Sequence, residues 1–151
     1  MSKVSIYLNF MGNTEEAFNY YKSVFNSEFT APIIRMGDMQ APPGAEAPQL
    51  SEADKKKVMH VGMPILNGTM IMATDMLESM GHKLTIGNNT TISLDLDTKE
   101  EADRLYKALS QGGAAAECIA PHDEPWGYWG VCLDRFGIRW MFNVMTQQQQ
   151  S

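Results

Sequence analysis

The chain is 151 residues long with a formal net charge of −6, its acidic and basic residues interspersed. It therefore has neither the basic stripe that nucleic acid requires nor the polybasic run that draws a protein to an anionic membrane. A single domain of this size buries roughly 70% of its unfolded surface, so it needs no disulfide or metal merely to fold. No apolar run approaches the roughly 20 residues that cross a bilayer, and the opening MSKVSIYLNF lacks the pattern of a signal peptide, so a cytoplasmic protein is expected.

In chain order, SIYLNF reads as a strand with Ile6, Leu8 and Phe10 on one face and Ser5, Tyr7 and Asn9 on the other. NTEEAFNYYKSVF, Asn13 to Phe25, reads as a helix capped by Asn13 that buries Ala17, Tyr21, Val24 and Phe25. SEFTAPIIRM is predicted as strand. Gly37 to Lys57 is rich in Pro and Gly and reads either as a lid or as a disordered insertion, with Lys55, Lys56 and Lys57 a solvated loop end. VMHVGMPIL and TMIMATD follow as strands joined at Asn67 and Gly68, a strong hairpin signal. Met76 to Asn89 is a turn-rich connector with Gly81, Gly87, Asn88 and Asn89 as breakers.

TISLDLD sets Ile92, Leu94 and Leu96 against Thr91, Ser93 and Asp95, and TKEEADRLYKALS reads as a helix capped by Thr98 with Ala102, Leu105 and Leu109 inward. AAAECIAP, WGVCLD and IRWMFNV are predicted strands, the last entered through a turn from Asp134 to Gly137, while APHDEPWGYWG is predicted as a Pro-rich loop. Cys118 and Cys132 have no metal or redox spacing and read as small buried apolar groups. The tail from Thr146 to Ser151 reads as disordered.

Both predicted helices contain EEA followed by YK at the same spacing, and the flanking strands recur in the same order. The expectation is an α+β fold of two βαβββ modules, about 3–76 and 90–145, within one domain over 1–151. Side by side, their sheets would curl into one cup lined by the polar strand faces.

YLNFMGNTEEAFNYYKSVF, VMHVGMPILNGTMIMATD and DRFGIRWMFNV together resemble the PhnB-like subfamily of the vicinal oxygen chelate, or glyoxalase, superfamily. The resemblance covers nearly the whole chain and implies a homodimer with a cupped sheet and a central pocket, with no established reaction for most members. The subfamily also carries a label referring to ubiquinone methyl transfer. This sequence does not support that label: it is short for a doubly wound methyltransferase domain and has no glycine-rich turn between a strand and a helix.

Metal-using members of the superfamily are implied to take ligands from the first and last strand of each module. Those positions project onto Met72 and Met141, and onto residues near Ser5 and Thr91, none of them an imidazole or carboxylate. Thioethers suit soft ions rather than the usual divalent ones, so no metal or cofactor is expected. Met70, Met72 and Met141 read either as an adaptable apolar part of the cup or as the filling of a closed core.

His60 is the candidate acid, base or ligand, against a structural histidine near a dimer seam; His82 and His122 read as solvated loop residues. Arg139 suits a carboxylate or phosphonate, against a structural ion pair with Asp95. Trp126, Tyr128 and Trp129 suit an aromatic rim or a dimer contact. The leading expectation is a homodimer holding a small, partly apolar or anionic molecule in a metal-free cup lined by Tyr7, Asn9, Met70, Met72, Ser93, Asp95, Arg139, Met141 and Asn143, with Trp126 and Trp129 at the rim. The alternatives are a divalent-metal-dependent glyoxalase-like or dioxygenase-like enzyme using His60 with Asp75 or Asp95, and a filled core whose dimer surface is functional.

Overall fold

The computed structural model describes residues 1–47 and 49–146, so the expectation for the tail lies, from residue 147 onward, outside the described residues. The chain divides into two compact units, Met1–Thr85 and Ile86–Ser151. The first contains β1 (Ile6–Phe10), α1 (Thr14–Val24), β2 (Ile34–Arg35), α2 (Glu52–Lys55), β3 (Val58–Ile65) and β4 (Thr69–Asp75). The second contains β5 (Ile92–Asp95), α3 (Lys99–Ser110), β6 (Ile119–Glu124), β7 (Gly127–Leu133) and β8 (Arg139–Met145). Strand order is β1-β4-β3-β2 in one and β5-β8-β7-β6 in the other. In both, the first strand runs parallel to the last and the remaining pairs are antiparallel. The fold is α+β, and the βαβββ order read from the sequence is present twice.

Each helix covers one face of its own sheet. Thr14, Ala17, Phe18, Tyr21 and Val24 of α1 are buried, with Phe18 edge-on to Phe10 at 6.3 Å and to Tyr21 at 5.8 Å. Phe18 takes the place expected of Phe25, which is only half-buried at the helix end. In α3, Ala102, Leu105 and Leu109 are fully buried as predicted, and Tyr106 meets Phe142 edge-on at 5.6 Å. Burial pushes the Cys132 thiol up to about 12, so it remains a neutral apolar group, whereas Cys118 is only half-buried.

Five local expectations are corrected. Asn13 makes no side-chain cap; Asp75 at the end of β4 instead accepts from Thr14 N (3.1 Å) and Thr14 Oγ1 (2.7 Å), whereas Thr98 does cap α3 by accepting from Glu101 N (3.1 Å). The strand in SEFTAPIIRM shrinks to Ile34 and Arg35, and the start of AAAECIAP is a 3₁₀ turn over Ala115–Glu117. APHDEPWGYWG is mostly hairpin, with His122 on β6 and Tyr128 and Trp129 on β7. The β3–β4 connection is a three-residue loop, Leu66 to Gly68, closed by Gly68 N donating to Ile65 O; Gly68 takes φ +90°, where a side chain would be strained.

The segment after β2 folds back on itself. Arg35 donates to both carboxylate oxygens of Glu15 (2.7 and 3.1 Å) and to Lys56 O (2.8 Å), and Met36 N donates to Lys57 O. The lysine triplet is not simply solvated, because Lys55 pairs with Glu52 at 2.9 Å and Lys57 with Asp54 at 3.0 Å. Asp54 also accepts from Ser79 Oγ at 2.6 Å, tying this segment to the connector after β4. Those hydrogen bonds, Ser79 foremost, hold its carboxyl below the ordinary range.

Candidate functional site

The face of each sheet turned away from its helix is organised by one cross-strand row. In the first unit Met72 lies between Tyr7 on β1 and Gly62 on β3; in the second Met141 lies between Ser93 on β5 and Val131 on β7. The two methionines onto which the resemblance projects the ligand positions thus occupy equivalent central positions. Their first-strand partners are Tyr7 and Ser93, each two residues beyond the projected Ser5 and Thr91, which lie just outside the strands. Gly62 makes room for the thioethers, since a Cβ there would stand 3.2 Å from Met72 Cγ and 3.5 Å from Met70 Cε.

In the first unit, His60 and Pro64 flank Gly62, and Asn9 shares the face with Tyr7. Tyr7 Oη lies 3.4 Å from His60 Nδ1, with the rings 5.9 Å apart, and Tyr7 is 48% exposed. His60 has no carboxylate among its hydrogen-bond partners in the described residues. Asp75, its suggested companion, is 3% exposed and occupied by Thr14 and by Val58 N (2.8 Å), so it serves the fold.

In the second unit, Arg139, Met141 and Asn143 alternate with the buried Trp140 and Phe142, and Trp129 pairs in register with Asn143. The expected Arg139–Asp95 pair does not form. Arg139 Nη1 meets Glu117 Oε2 at 3.0 Å, while Asp95 accepts from Asn143 Nδ2 at 3.4 Å. Register explains the exchange, because Asp95 pairs with Asn143, four residues or about 13 Å of strand beyond Arg139. Arg139 Nε and Asn143 Oδ1 are buried and have no hydrogen-bond partner among the described residues. The carboxylate of Asp95 turns the amide nitrogen of Asn143 toward itself and leaves the amide oxygen over. Arg139 and Glu117 also line a recess of about 360 Å³ with Leu133, Ile86, Gly87 and Asn88.

The aromatic group predicted at the rim splits. Trp126 occupies the β6–β7 turn and is 42% exposed, and Trp129 shares the Arg139–Asn143 face. Tyr128 points to the helix side, donating to Asp103 Oδ1 at 2.7 Å. His122, expected in a loop, pairs with Trp129 across the strands and stands edge-on to its ring at 6.0 Å. Its Nδ1 lies 2.9 Å from Ala120 O and its Nε2 2.7 Å from Glu124 Oε1, and these two acceptors raise its pKa above the ordinary 6.5. A raised folded-state pKa means that its stabilisation is fully present below about pH 6.5 and lost as pH rises through the folded value. An NMR titration is expected to show a His122 midpoint above 6.5 that falls in Glu124→Gln; an unchanged midpoint would remove Glu124 as a cause.

A large apolar opening in the first unit was not foreseen. It lies at the end of the first sheet, has a volume of about 440 Å³ and includes Asn9, Met59 and Thr74. The sequence signal for it was the number of methionines outside the strands, at positions 36, 39, 76 and 80. Among the described residues, no group of three or more His, Cys, Asp or Glu is gathered as a metal site, and no helix is long and apolar enough to cross a membrane.

This pair of matched βαβββ sheets is the architecture of the vicinal oxygen chelate, or glyoxalase, superfamily. Residues 2–143 match the family described as 3-demethylubiquinone-9 3-methyltransferase, and the chain belongs to this family, the PhnB-like branch of that superfamily. It is 31% identical over 149 residues to Protein YjdN of Escherichia coli, covering 96% of this chain and 97% of the relative. Among solved structures, protein PA1353 from Pseudomonas aeruginosa is 28% identical with a TM-score of 0.77, covering 96% of this chain and 98% of the other. A PhnB protein from Bacillus cereus, called there a putative 3-demethylubiquinone-9 3-methyltransferase, is 25% identical with a TM-score of 0.70, covering 95% and 99%. Two distant structures share the fold alone. One is a glyoxylase/bleomycin resistance protein/dioxygenase domain from Frankia sp. (12% identity, TM-score 0.63, covering 97% and 94%). The other is a mutant of the fosfomycin resistance protein FosX from Listeria monocytogenes, complexed with Mn(II) and a dihydroxypropylphosphonic acid (14%, 0.59, covering 99% and 95%).

Proposed function

We propose that this PhnB-like protein binds a small, partly apolar molecule carrying a carbonyl, carboxylate or phosphonate oxygen on the Met141 face, without a divalent metal. The observation that carries this is the pair of unmatched buried groups, Arg139 Nε–H and Asn143 Oδ1, a donor and an acceptor on either side of Met141. Buried polar atoms without partners cost about 1–3 kcal/mol each, so a ligand whose oxygen accepts from Arg139 Nε and whose hydroxyl or amine donates to Asn143 Oδ1 gains what the free protein forgoes. Glu117 already balances the guanidinium charge, which fits a singly charged or neutral acceptor better than a dianion.

The side chains at the central rows do not fit the manganese site that the FosX relative would suggest. Tyr7, Met72, Ser93 and Met141 offer neutral hydroxyls and thioethers, whereas hard divalent ions take imidazole and carboxylate. Nor does the methyltransferase description find support in the sequence, which has no glycine-rich turn between a strand and a helix. A homodimer belongs to the same proposal, supported by the exposure of Tyr7, Ile34 and Ile119 on the single chain.

The test is a thermal-shift screen of untagged protein against small carboxylates, phosphonates and divalent metals. A ligand at a hundredfold excess over its Kd stabilises by about 2.7 kcal/mol, or roughly 5–10 °C at this size. An organic acid is expected to give such a shift and to bind tenfold or more weakly to Arg139→Ala and Asn143→Ala. Stabilisation by a divalent metal alone, or equal binding by both variants, would overturn the proposal. Light scattering on the same sample would reject the dimer if it gave a monomer mass.

A further inference from the structure

The pocket at the end of the first sheet lies wholly within the first unit and contains none of the Arg139 face. Three chain segments wall it. The sheet supplies Asn9, Met59 and Thr74, the segment after β2 supplies Met36, Met39 and Leu50, and the connector after β4 supplies Met76, Leu77, Met80 and His82. The second and third segments are joined by the Ser79–Asp54 hydrogen bond. Its volume of about 440 Å³ falls within the roughly 300–1,000 Å³ typical of small-molecule sites.

The lining defines the ligand chemistry. Five thioethers from separated parts of the sequence form a polarisable wall that adapts to irregular apolar shapes. No lysine or arginine among the described residues lines the pocket, and the oxygens of its one carboxylate, Asp75, are taken by Thr14 and Val58, so neither an anion nor a cation would be compensated there. His82 is exposed in the connector, as expected from sequence, yet its ring is anchored. Its Nδ1 accepts from Leu77 N at 3.0 Å, which places the proton of the neutral ring on Nε2 and makes that atom a donor. Asn9 contributes the second polar group.

We propose that this methionine-walled pocket is a second binding site, separate from the Arg139 face, for a neutral apolar molecule with a single hydrogen-bonding group. Met39 and Leu50, from the Gly37–Lys57 segment read from sequence as either a lid or a disordered insertion, supply part of its wall beside Met36.

The test titrates the neutral dye N-phenyl-1-naphthylamine into the full chain, with parallel spectra of protein labelled with ¹³C at the methionine methyls. One saturable site per chain is expected, with shifts at Met36, Met39, Met59, Met76 and Met80 while Met72 and Met141 stay in place. Met80→Asp, at a rim position 56% exposed and so harmless to folding, is expected to weaken binding at least tenfold, and Arg139→Ala to leave it unchanged. Absence of saturation, unaltered binding by Met80→Asp, or shifts confined to Met72 and Met141 would overturn the proposal. Because Arg139→Ala is the discriminating variant for the other face, failure of either site is distinguishable from failure of the other.

Discussion

Replacing Asp134 with alanine is expected to destabilise the second unit by about 3–5 kcal/mol, a large share of the roughly 5–15 kcal/mol that holds a domain together. Asp134 is 3% exposed and follows β7. Its Oδ1 accepts from Phe136 N and Ile138 N, both at 2.9 Å, and its Oδ2 accepts from Trp140 Nε1 at 2.8 Å. One carboxylate therefore sets the turn that starts β8 and anchors the largest core side chain, and its loss strands three donors. The turn also depends on Gly137, at φ +91°, where an added Cβ would stand 2.8 Å from Ile86 Cδ1. Asp134→Asn separates the contributions: its oxygen can keep both backbone bonds, but its amide then faces the indole N–H, donor against donor. About half the loss is expected, and Trp140→Phe in that background should cost less than in the wild type. Urea denaturation of the four proteins measures this, and strict additivity would mean that the two side chains are uncoupled.

Asp75→Ala is expected to cost about 3–4 kcal/mol in the first unit, through three bonds to two distant segments. Thr14 N and Oγ1 and Val58 N all lose their acceptor, and α1 loses the negative charge at its first turn. Hydrogen exchange offers a local readout. Protection should fall first at Thr14, Glu15 and Val58, with α3 unaffected because Thr98 caps it locally. Replacing Asn13 with alanine should change stability little, since its side chain caps nothing. If Asn13→Ala proved as costly as Asp75→Ala, the assignment of the anchor would be wrong.

Where a signal was local, the chain alone carried it. Alternation placed the faces of β1 and β5, the Ala102–Leu105–Leu109 spacing placed the buried face of α3, and Thr98 three residues before Glu101 marked a true cap. The repeat survived because each βαβββ unit is built from such local periods, and the ligand positions implied by the resemblance fell on the equivalent Met72 and Met141. What failed depended on partners remote in sequence. Phe18 displaced Phe25 because the core beside Phe10 lies under the middle of α1. His122 and Trp129 were read as loop because Pro and Gly dominate their neighbourhood, yet strand pairing through β7 to β8 outweighs that composition.

The sequence by itself determined which residues alternate, which face of α3 is apolar, and that two like modules follow one another, because strand and helix periods are written within a few residues. Only the tertiary structure decided that Thr14 is held by Asp75, 61 positions away, that Arg139 pairs with Glu117 rather than Asp95, and that methionines from three segments wall one pocket. Those choices follow from register and chain reversal, which bring together groups that no local spacing relates.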